Sequence, residues 1–377
     1  MIPVTTVRVS LLMLLCCLLS SLVLPLPAAA ANRADLWKKV EKAINEGLPK
    51  TAIEHLTPIV DAALQDKAYG EAARAMCRKI VLEANIQGNK AEEKVTRLQT
   101  TLETAPGELK PLLRAVLARW YWHFFRQNNW RFMNRTATAK LDEKDFTTWD
   151  LPKLFGHIGG LFDAAIADKA SLQALSIKEF NEFLSSGNMP AEYRPTLYDF
   201  LVYQALEFYT SGEQAGAYPQ DAFFVEADSP ALADASAFMA WNPATTDTDS
   251  PKLKAIRLLQ DLLKFHAKDK DRGAFLDADI YRLRWLKSVA VGENAAEACF
   301  KQLEVIAREF ADHQLSSTAF EAMAQIRFAE GNRKEAHQLA SEGSKRFPNS
   351  AGGHNCRSLI SQIEQKLSDP EFYKTGG

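Results

Sequence analysis

The stretch Phe320-Glu-Ala-Met323-Ala324-Gln-Ile-Arg-Phe-Ala-Glu-Gly331-Asn-Arg-Lys-Glu-Ala336-His-Gln-Leu-Ala340-Ser-Glu-Gly343-Ser-Lys-Arg-Phe-Pro348 holds the clearest architectural signal in the chain. Phe320, Met323 and Ala324 recur at the i, i+3, i+4 spacing of one helical face. Gly331 interrupts the period, and Ala336, Ala340 and Gly343 restart it with small side chains. Pro348, lacking an N–H to give to a helix, ends the second run. Two helices joined by a glycine turn, small where they touch and larger in the groove, make an αα-hairpin. The N-terminal region repeats the plan: Leu36-Trp37-Lys-Lys-Val40-Glu-Lys-Ala43-Ile44, a break at Gly47-Leu-Pro49, then Thr51-Ala52-Ile53-Glu-His-Leu56-Thr-Pro-Ile59-Val60. Gly47 to Ala52 and Gly331 to Ala336 both span five residues, the same distance from turn to helix contact. Gly88 with Pro106, and Gly292 with Ala298, give weaker copies. Strand signals are nearly absent, with no run of four alternating β-branched residues and no Asn-Gly turn. The expected fold is all-α, built of stacked αα-hairpins.

The offsets from Phe320 to Pro348 are those of tetratricopeptide repeats, in which each hairpin buries its apolar face on the next. Ala298 and Ala336 lie further apart than the roughly 34-residue period of such repeats, so the array is irregular. The expectation is a tetratricopeptide-like solenoid or bundle. Residues 32–110 read as N-terminal hairpins, 111–250 as an aromatic-rich irregular helical region, and 251–377 as a C-terminal helical array. Trp241-Asn-Pro-Ala-Thr-Thr-Asp-Thr-Asp-Ser-Pro251 is the best linker candidate, because Pro, Thr and Asp all oppose continued helix.

Residues 1–31 form a separate object. Arg8 is followed by an apolar run through Leu24, then Pro25, Pro27 and the alanines 28–31. A positive start, an apolar core and an Ala-x-Ala site make a secretory signal peptide, with cleavage expected after Ala30 or Ala31. The alternative is an uncleaved membrane anchor, since the apolar stretch is long, and Pro25, Pro27 and the alanine run favour cleavage. Cys16 and Cys17 do not make a lipobox, since Leu15 stands where a small residue is needed. The remaining Cys77, Cys299 and Cys356 are odd in number and far apart, which is no disulfide framework and no zinc pattern. The chain of 377 residues is 47% hydrophobic, with 45 Lys+Arg against 47 Asp+Glu and a net charge of -2. A protein that coats nucleic acid carries a basic excess, and a disordered one lacks this apolar fraction. The composition therefore points to a folded chain that does not bind nucleic acid, and no membrane span is expected once the signal is removed.

No enzyme motif is present: GxGxxG, GxxxxGK, HExxH and GxSxG are all missing. The seven histidines His55, His123, His157, His266, His313, His337 and His354 are scattered, none paired at ligand spacing, and read as surface or packed residues. Trp120-Tyr-Trp-His-Phe-Phe125 could offer a stacking platform, but without a basic surround it reads as packing between hairpins. Trp149 and Trp241 fall in loops and read as plugs onto a helix layer. Asn134-Arg-Thr136 matches a glycosylation acceptor by letter. Lys264, Lys268, Lys270 and Arg272 alternate with Asp269 and Asp271, a solvated face and not a basic patch. Asp277 and Asp279 are the nearest approach to a carboxylate pair, yet i, i+2 residues leave a helix on different faces. No catalytic, cofactor-binding or metal-binding residue is assigned, and the expected role is non-enzymatic.

Six stretches together resemble the N-terminal helical region of bacterial alpha-2-macroglobulin family proteins. They are Leu36 to Ala52, Asp145-Phe-Thr-Thr-Trp-Asp150, Arg194-Pro-Thr-Leu-Tyr-Asp-Phe-Leu201, Ser250-Pro-Lys-Leu-Lys-Ala-Ile-Arg257, Ala274-Phe-Leu-Asp-Ala-Asp279 and Arg346-Phe-Pro-Asn-Ser350. The resemblance spans about residues 35 to 366. Members of that family are large exported conformational protease traps, in which a helical region precedes β-sandwich domains, a bait segment and often a thioester. By resemblance, this chain is the helical part alone and lacks the trapping apparatus. The family thioester runs Cys-x-Glu-Gln; Cys299-Phe-Lys-Gln302 keeps the spacing but has Lys301 in place of Glu, so Cys299 is not taken as a site. The resemblance implies a docking scaffold of an exported protease inhibitor, in the periplasm or cell envelope of a bacterium. Its partners would be trap domains, target proteases or envelope proteins. The alternative is an independent exported tetratricopeptide-type adaptor.

Overall fold

Hairpin closure in this chain depends on residues with left-handed backbone. The computed structural model describes residues 28–88, 91–133, 145–184, 190–218 and 223–368. Residues 1–27 of the expected signal peptide and the Asn134-Arg-Thr136 acceptor lie outside the described residues. Among the described residues are seventeen α-helices and no strand, with isolated bridges only at Ser176–Thr196 and Glu226–Val291.

The first hairpins comprise α1 (Ala28–Asn45), α2 (Pro49–Gln65) and α3 (Tyr69–Ile86). Gly47 has φ of 70°. Its N–H donates to the Ile44 carbonyl at 3.0 Å, and the Leu48 N–H donates to Ala43 at 2.8 Å. That pair of bonds is the Schellman closure, which satisfies the last carbonyls of a helix. Gly331, with φ of 82°, repeats it through Gly331 to Phe328 at 3.1 Å and Asn332 to Arg327 at 2.9 Å. A Cβ at either glycine would meet nothing within 4 Å, so the glycine serves the backbone and not the space. Between α2 and α3 the same pair recurs, Lys67 to Leu64 at 3.2 Å and Ala68 to Ala63 at 2.8 Å, but on a lysine with φ of 55°. A left-handed non-glycine residue costs roughly 1–2 kcal/mol, against roughly 0.5–1 kcal/mol of extra chain entropy lost by a glycine. Lys67→Gly is therefore expected to stabilise the protein by about 0.5 kcal/mol, read as a higher urea midpoint. A lower midpoint would mean that the lysine side chain holds the turn.

Next come α4 (Ala91–Thr104), α5 (Lys110–Gln127), α6 (Asn129–Met133), α7 (Leu151–Ala165), α8 (Lys169–Ala174), α9 (Leu197–Tyr209), α10 (Gln214–Ala217) and α11 (Ala235–Ala240). The chain continues through α12 (Pro251–His266), α13 (Gly273–Val289), α14 (Ala295–Glu309), α15 (Leu315–Ala329), α16 (Arg333–Arg346) and α17 (Ala351–Ser368). Successive helices pack on each other from α1 to α5, then α5 on α7, α7 on α9, α9 on α12, and in order again from α12 to α17. Side-chain caps open several of them: Asp150 accepts from the Lys153 N–H at 2.9 Å before α7, and Ser250 from Leu253 at 3.3 Å before α12.

The core divides into one large cluster and two small ones. The large cluster runs from Ala63 to Ile326 and includes residues on both sides of positions 110 and 250. A cap cluster of Trp37, Val40, Ala43, Ala52, Leu56, Ile59 and Ala75 closes the N-terminal end. Ala324, Ala336, Ala340, Cys356, Leu359 and Ile363 close the other. Ala336, Ala340 and Gly343, the small residues of the repeat pattern, all face this contact. The Trp241–Pro251 stretch is tied down by Gln260, whose Nε2 donates to the carbonyls of Phe238 and Trp241 at 2.7 Å each.

Candidate functional site

Helix α5 presents two faces. Pro111 sits in its first turn, and Leu112, Leu113, Ala115, Leu117 and Ala118 carry its apolar side into the core. The aromatic run divides between the faces. Tyr121, Phe124 and Phe125 are buried; Tyr121 meets Phe146 edge-on at 4.8 Å, and Phe125 meets Phe155 at 4.9 Å. Trp149 stacks on Tyr121 with centroids 6.3 Å apart, which is the plug expected of a loop tryptophan. Trp122 packs its ring on Phe208 at 5.4 Å and donates Nε1–H to Glu213. Trp120 and His123 instead lie on the outer stripe with Arg119 and Arg126.

That stripe forms one wall of a groove of about 560 Å³. Lys94 on α4, Phe183 and Leu184 beyond α8, and Phe200 and Gln204 on α9 complete it. The charged residues that line it are all cationic: Lys94, Arg119 and Arg126. Arg119 pairs with Glu207 at 2.6 Å and Arg126 with Glu213 at 2.9 Å. Arg126 also lies 4.2 Å over the Trp122 ring. Lys94 has no carboxylate partner among the described residues; its Nζ sits 5.7 Å over Trp120. Burial pushes the Lys94 ammonium down from its ordinary value. Burial, then the nearby Lys94, Arg126 and Arg119, lower His123 as well, which keeps its ring neutral at pH 7. The surround of Trp120 is therefore basic, contrary to the sequence-based expectation. Arg119, His123 and Arg126 fall at i, i+4 and i+7 of one helix, a spacing that was legible, but Lys94 arrives from another helix.

A second constellation is buried. His266 is 1% exposed at the end of α12, with Nε2 2.7 Å from Asp199 Oδ1 and Nδ1 2.6 Å from Asp269 Oδ2. Asp199 also closes a capping box with Thr196 at the start of α9. The two carboxylates outweigh the desolvation of the ring and raise the His266 pKa above its ordinary value. Asp269 thus turns inward to the ring, while Lys264, Lys268 and Lys270 stay exposed around it. Asp271 accepts from the Gly273 N–H at 2.8 Å and Arg272 donates to the Ala267 carbonyl at 2.8 Å, so this run is a built turn.

The remaining sequence candidates disperse. Asp279 is buried against Arg282 Nε at 2.7 Å, whereas Asp277 faces Arg194 at 3.4 Å on another side of α13. Cys299 is fully buried, and desolvation pushes its thiol up to about 11, far from a reactive thiolate. Cys77, Cys299 and Cys356 are free. His157 is packed edge-on against Tyr121 at 4.9 Å and Trp149 at 5.0 Å. Among the described residues no group of three or more His, Cys, Asp or Glu is placed to hold a metal ion, and no helix is long and apolar enough to cross a membrane.

The class that the fold defines is an all-α stack of helical hairpins. No protein-family model matches the chain, and no curated protein matches it.

Proposed function

We propose that the chain is a non-catalytic docking scaffold, exported to the bacterial envelope, that serves an alpha-2-macroglobulin-like endopeptidase inhibitor. The observation that carries the docking reading is the division of its polar groups. Two buried ion pairs, Asp199 with His266 and Asp279 with Arg282, serve the packing of the interior. Open aromatic and cationic side chains converge on one groove held by α5. A stack of hairpins offers such a surface on a rigid support and little chemistry of its own. The six stretches from Leu36 to Ser350 support the macroglobulin assignment.

The test is to read the coding sequence after the Gly377 codon and to express any strand-rich polypeptide found there. Association with this chain, measured by calorimetry, is the expected result. An unrelated downstream gene, with binding to envelope proteins only, would replace it with the adaptor reading. Export has its own check: the secreted protein is expected to begin at Ala31 or Asn32 on N-terminal sequencing.

A further inference from the structure

We infer that the α5 groove binds a short segment of a partner protein in which an acidic side chain lies beside an aromatic or branched aliphatic one. The inference rests on the docking reading and gives that reading its surface and its partner chemistry. Charge complementarity selects the acidic component. Three cations line the groove and no Asp or Glu does. Glu207 and Glu213 already pair with Arg119 and Arg126, which leaves Lys94 as the charge to be met. Its ammonium is already partly desolvated, so a carboxylate placed there regains Coulomb energy without stripping much further water. His123 lies in the same positive field and supplies a neutral ring with one donor and one acceptor nitrogen.

The apolar component follows from the walls. Trp120, Phe183 and Phe200 are half-buried and line the same groove, which gives an aromatic or aliphatic side chain a face to cover. At about 560 Å³ the groove accommodates a few residues and not a folded domain. Nucleic acid is disfavoured, because two of the three cations are matched by Glu207 and Glu213 and the chain is net -2.

The experiment is fluorescence anisotropy of the full chain with a fluorescein-labelled octapeptide whose centre is glutamate, tryptophan, glutamate, leucine. A matched peptide carries glutamine at both acidic positions. Binding in the range of about 10–100 μM is expected for so small a contact, weakened at least tenfold by the glutamine peptide. Lys94→Gln, a half-exposed position, is expected to weaken binding about tenfold, and Trp120→Ala by a similar factor. Should Trp120→Ala unfold, Phe183→Ala tests the same wall. Bound peptide is also expected to raise the His123 pKa in an NMR titration, since the carboxylate offsets the cations. No binding at 1 mM, equal binding of the two peptides, or an unaltered Lys94→Gln affinity would each overturn the inference. A chain that binds a protein partner equally well with and without Lys94→Gln refutes the groove and leaves the scaffold standing. Lys94-dependent peptide binding without any protein partner supports the groove and removes the scaffold.

Discussion

Replacing His266 by alanine is expected to destabilise the protein by about 3 kcal/mol at pH 6, and by less at pH 9. Both ring nitrogens of His266 face carboxylate oxygens, at 2.7 Å and 2.6 Å, and both can donate only if the ring is an imidazolium. Burial of the ring opposes that charge, while Asp199 and Asp269 favour it and prevail, so the folded pKa stands above the ordinary 6.5. A group whose pKa is higher in the folded state contributes stability that is complete below its unfolded value. That contribution fades as pH rises through the folded one. The groups that face the ring are Asp199 from α9 and Asp269 from the loop; the Arg272 guanidinium reaches only the His266 carbonyl, at 3.4 Å. Removing the ring leaves Asp199, itself 1% exposed, without its cation, whereas the exposed Asp269 can return to water. That difference places the cost near the lower end for a broken buried pair. Urea melts of wild type and His266→Ala at pH 6 and pH 9 measure it. A gap that does not narrow at pH 9 means the ring is neutral in the fold.

Gly352→Ala is the second large effect, and here two terms of opposite sign compete. Alanine is favoured over glycine inside a helix by about 1 kcal/mol. The new Cβ would lie 2.4 Å from the Thr318 nitrogen and 2.6 Å from the Ser317 carbonyl carbon. Those atoms are backbone of α15 and cannot rotate away, so α17 must shift and open the packing around Cys356 and Ala324. Overpacking of this kind costs about 3 kcal/mol, which leaves a net loss of about 2 kcal/mol. Gly156→Ala on α7 serves as the control: its Cβ meets nothing within 4 Å, so only the helix term remains and a gain of about 0.5–1 kcal/mol is expected. If Gly352→Ala stabilises as Gly156→Ala does, the two helices are not in the close contact described.

The sequence disclosed those parts of the fold that depend on residues close together along the chain. Gly47 and Gly331 were legible as turns because glycine is the residue that left-handed closure selects. The equivalent turn at Lys67 was invisible, since a lysine carries no such signal and is held there by its neighbours' hydrogen bonds. The small residues Ala336, Ala340 and Gly343 announced a tight helix contact that Phe320 and Cys356 indeed supply. The buried Asp199–His266 pair joins residues 67 positions apart, and neither has a local spacing that marks it. The groove was half legible. Its aromatic run and the two arginines of α5 are contiguous, but Lys94 and Phe200 join them only when α4 and α9 pack against α5.

The three-part core has a mechanical consequence. Helix α3 contributes Ala75 to the N-terminal cluster and Ala72 to the large one, and α15 divides likewise between Ala324 and Met323. Tension applied to the two ends of the chain would therefore reach a small cluster first at either end. Each can peel away one helix at a time at a force below the one that breaks the larger central cluster. A pulling trace is expected to show low-force unzipping of α1–α2 and of α16–α17, then one larger rupture as the centre gives way. The ends would act as extensible tethers on a stiff middle, so a partner held on α5 would stay seated while the protein stretched.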